Sequence, residues 1–88
     1  MDLQYVKDYL RVDYEDDDLL INGFISAAKQ YLRNAGVADQ EESDLYNTVI
    51  LMLVSLFYEN REVTDNDIKI PTVINTLIVQ LSVKRTSA

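Results

Sequence analysis

Val49-Ile50-Leu51-Met52-Leu53-Val54-Ser55-Leu56-Phe57-Tyr58 decides the fold, and Glu59-Asn60-Arg61-Glu62 closes it abruptly. Its ten residues hold one clearly polar side chain, Ser55. A helix that is apolar nearly all round needs cover on nearly all sides. This one is therefore expected either to sit at the centre of a bundle or to lend one face to another chain. The run is far too short to span a bilayer, which takes about 20 apolar residues, so no membrane is expected as a partner.

Working outward, the helix that carries this run is expected to start near residue 43 and end near residue 60. Ser43 is one N-cap candidate. Asp39, with Glu42 three positions later, has capping-box-like spacing and is the rival. The segment before it reads as a helix over about 17–35. Its polar stripe is Asp18, Asn22, Ser26, Lys29 and Arg33, and Leu20, Ile21, Phe24, Ile25, Ala28, Tyr31 and Leu32 fill the rest. Asp16, Asp17 and Asp18 are expected to cap its start, where carboxylates meet orphan N–H groups and the positive end of the helix dipole. Gly36 is expected to stop it in a left-handed conformation. A first helix covers about 2–11, with Asp2 as N-cap and Leu3, Val6 and Leu10 as its stripe. A fourth follows Pro71, a residue suited to a first helical turn, with Val73, Ile74, Leu77, Ile78 and Leu81 along one face. No segment keeps strict apolar–polar alternation for long. The expected fold is all-α, a small bundle of about four helices in one domain over 1–88, in which Leu53, Leu56, Phe57, Leu20, Phe24 and Leu77 are largely buried.

Composition narrows the chemistry. The 88 residues are 48% hydrophobic, a normal globular share, with no cysteine and no histidine. That leaves no disulfide framework or thiolate metal site, and it removes the commonest general base and transition-metal ligand. The acidic run Asp13, Glu15, Asp16, Asp17, Asp18 fails as an EF-hand. Counted from Asp13, the required Gly and Glu positions hold Asp18 and Phe24. There is no P-loop, dinucleotide fingerprint or nucleophile elbow. No enzyme activity, metal or cofactor is expected. Met1-Asp2-Leu3-Gln4 has no basic patch leading into an apolar core, so no signal peptide is expected and the cytoplasm is the default location.

The net charge of −7 is uneven: residues 1–48 carry eleven acids against four bases, and residues 49–88 carry four of each. So acidic a chain is a poor clamp for a phosphate backbone. It does not exclude contact with DNA that slides past without sticking, and ordinary solubility is a sufficient reason for the charge. Tyr5 and Tyr9, one turn apart on the first helix, are candidate contacts, because tyrosine joins apolar area to a wet tip. Leu51 and Met52, which interrupt the polar side of the central helix, are candidates too, with Arg61 at its end and Lys84 and Arg85 in the basic tail. The 60–70 connection is long for a helical bundle. Glu62, Asp65 and Asp67 would give it an acidic tip.

Three segments together resemble the head–tail connector (adaptor) family of tailed bacteriophages. The first is Val6-Lys7-Asp8-Tyr9-Leu10-Arg11-Val12-Asp13 with Glu15-Asp16-Asp17-Asp18-Leu19-Leu20 and Ala27-Ala28-Lys29-Gln30-Tyr31-Leu32. The second is Leu51-Met52-Leu53-Val54-Ser55-Leu56-Phe57-Tyr58-Glu59-Asn60-Arg61-Glu62, and the third is Ile70-Pro71 opening a final apolar helix. The resemblance implies a structural virion protein at the head–tail interface, made in the host cytoplasm. It implies a homo-oligomeric ring of about a dozen copies beneath the portal protein. That ring would continue the channel for double-stranded DNA and offer a surface to the stopper or tail-completion protein. Glu62, Asp65 and Asp67 would then face the channel. The residues alone also allow a small cytoplasmic regulator or antitoxin-like module that binds a partner helix.

Overall fold

The computed structural model describes residues 2–61 and 69–84, with side chains as far as Ser82. Four helices follow one another: α1 (Leu3–Leu10), α2 (Asp18–Asn34), α3 (Asp44–Glu59) and α4 (Thr72–Lys84). No strand occurs among the described residues. The all-α expectation holds, and α3 is its centre, packed against each of the other three helices. Tyr46, Val49, Ile50, Leu53 and Val54 of α3 are sealed from solvent. They meet Val6 of α1, Ile21, Ala28 and Leu32 of α2, and Leu81 of α4 in one core.

The helix ends explain where the elements stop. Asp2 caps α1 by accepting from the Gln4 N–H. α1 closes on Arg11, which adopts the left-handed region at φ 62° without being glycine. The Arg11 N–H then bonds the Asp8 carbonyl, the Val12 N–H bonds the Lys7 carbonyl, and Val12 is buried. α2 closes the same way on Gly36, at φ 90°. There the Gly36 and Val37 N–H groups bond the Arg33 and Leu32 carbonyls, and Val37 is buried.

At the start of α3, Ser43 is the cap, its Oγ accepting from the Tyr46 N–H at 3.2 Å. Asp39 is occupied elsewhere. It receives two bonds from the Arg33 guanidinium, at 3.0 and 3.2 Å, and one from the Tyr46 hydroxyl. The guanidinium holds the Asp39 carboxyl below its ordinary pKa, and Asp39 raises that of Arg33. Lys29, 3.2 Å from Glu41, lowers the Glu41 pKa likewise. Together these pairs strap the α2–α3 loop onto α2.

Of the six residues expected to be largely buried, Leu53 alone is sealed, and the other five need correction. Leu20 is 40% exposed, because the core face of α2 runs through Ile21, Ile25, Ala28 and Leu32 and leaves Leu20 on its flank. Phe24, Leu56, Phe57 and Leu77 are half-buried rather than sealed. The Phe24 and Phe57 rings meet at 5.9 Å between centroids, tilted by 51°.

Candidate interaction surface

The side of α3 turned away from α2 carries Met52, Ser55, Leu56 and Glu59 in two successive turns. Tyr9 of α1 and the α4 start, Pro71 and Ile74, flank them. The result is a shallow open groove of about 210 Å³. Its floor is apolar, from Met52, Leu56 and Ile74. Its polar tips are the Tyr9 hydroxyl and the Glu59 carboxylate, which accepts from Ser55 Oγ at 3.4 Å.

Two of the expected contact residues, Tyr9 and Met52, are thus brought together. Tyr5 is 56% exposed one turn away on α1. Leu51 is 7% exposed and belongs to the core, so it offers this surface almost no area. Arg61 is exposed but engaged. Its Nη1 donates to the Tyr58 carbonyl at 2.6 Å, and its guanidinium lies 4.1 Å from the centroid of the Tyr58 ring. Glu62, Asp65, Asp67 and Arg85 lie outside the described residues, as does the side chain of Lys84.

Two clusters near the α2 start were not read from the sequence. Asp17 is the residue before α2, yet its side chain makes no cap bond. Instead Asp17 Oδ2 accepts from the Tyr58 hydroxyl at 2.7 Å. Tyr58 has one proton to give, so the 3.2 Å contact between the Tyr14 and Tyr58 hydroxyls is Tyr14 donating to Tyr58. The bond to Asp17 raises the Tyr58 pKa. Asp18, the second supposed cap, lies 2.7 Å from Lys7 Nζ. Lys7 is only 6% exposed. A signal for Lys7 was present, because it falls at helical spacing between Leu3 and Leu10. The roles of Asp17 and Asp18 had no local signal.

Among the described residues, no three carboxylates gather where a metal ion could sit. No helix there is long and apolar enough to cross a membrane. What the surface offers is an apolar recess with polar edges, a shape for protein contact.

The family comparison agrees with that chemistry. The sequence model of the phage gp6-like head-tail connector protein family matches residues 1–87. The chain belongs to this family. The comparison with curated proteins found no match, and the comparison with solved structures found none. The connector is accordingly a structural component of the phage virion, working where head meets tail. Its family is one of structure rather than catalysis.

Proposed function

We propose that this connector assembles as a head-to-tail ring beneath the portal, extends the channel through which double-stranded DNA passes, and presents its far face to a stopper or tail-completion protein. The observation that carries the reading is the family match over almost the whole chain. Three features support it. The groove between α1, α3 and α4 offers lateral contact area, with Tyr5, Tyr9 and Met52 at or near it. A net charge of −7 suits a conduit, because like charges facing a passing duplex lower its tendency to stick. Exposed apolar side chains are present on a core that is already closed, as befits a subunit that folds before it assembles.

Copy number follows the symmetry of the assembly, about a dozen in a closed cyclic ring. Free protein at micromolar concentration is a monomer in this account. The portal holds many copies at high effective concentration and so closes contacts that are weak one at a time. Glu62, Asp65 and Asp67 form the channel-facing tip, and Arg61, Lys84 and Arg85 contact neighbouring proteins.

The test is to image portal-containing capsids made with and without the connector. The reading predicts an annular layer below the portal only when the connector is present, and loss of DNA retention or tail attachment without it. Capsids that show no such layer, retain DNA and accept tails equally well would overturn it.

A further inference from the structure

We draw no further inference here: the strongest candidate, the exposed stripe of α2 through Leu19, Gly23 and Ala27, is a run of mostly small side chains, and nothing in the structure shows what covers it.

Discussion

The Tyr58 hydroxyl donates a 2.7 Å hydrogen bond to Asp17 Oδ2, joining the end of α3 to the start of α2 across 41 positions of sequence. Tyr58 as a whole is 9% exposed, its ring packed within the core cluster. The bond ties the start of α2 to the end of α3.

Tyr58→Phe should cost about 1–2 kcal/mol, the worth of a part-buried hydrogen bond to a carboxylate. It should also change the alkaline limb of stability. A phenol whose folded pKa is raised contributes stability that is fully present below its unfolded value of 10.0 and is lost as pH rises above it. Tyr46 adds to the same limb, because burial first and Asp39 second push its hydroxyl up to about 12. Urea unfolding between pH 9 and about 11 should show a shallower decline for Tyr58→Phe than for the wild type. Equal declines would mean that the Asp17 bond is not made in solution.

Lys7 and Asp18 should behave as one unit. Asp18→Asn leaves a buried ammonium without its carboxylate and should cost about 1–3 kcal/mol. Lys7→Met keeps the apolar stem packed and should cost less. In the double variant the losses should fall short of their sum by about 1 kcal/mol. Additive losses in denaturant melts would contradict the pairing.

These two clusters mark the boundary of what the sequence discloses. Four helices were legible because their periodicity and ends are local: Asp2 caps, Gly36 stops, and the run at 49–58 is too apolar to lie anywhere but the centre. The carboxylates at 16–18 look like caps by the same local logic. Asp17 and Asp18 make long-range contacts instead, Asp17 with Tyr58 and Asp18 with Lys7. Leu51 and Met52 read alike as an interruption of a polar stripe, yet one is core and the other lines the groove. Only the positions of α1 and α4 around α3 separate them. The exposure of Leu20 was equally out of reach, since an apolar residue on the first turn of a broadly apolar helix reads as core.

Arg11→Gly should stabilise the fold. Arg11 sits at φ 62°, a region that costs a non-glycine residue about 1–2 kcal/mol. Glycine removes that cost and returns part of it through the greater freedom of the unfolded chain. The net gain should be about 0.5–1 kcal/mol, seen as a later urea midpoint at an unchanged slope. A loss of stability would mean that the Arg11 side chain makes a contact worth more than its backbone strain.

The central claim is that many copies of this chain close into a ring on the portal, and a native mass measurement of purified portal saturated with the connector tests it most directly. The account predicts a single dominant complex whose mass exceeds that of the portal by an integral number of 10.1 kDa subunits, about a dozen, with partial occupancies rare because ring closure is cooperative. A portal that takes up one copy or none at saturating connector would contradict it.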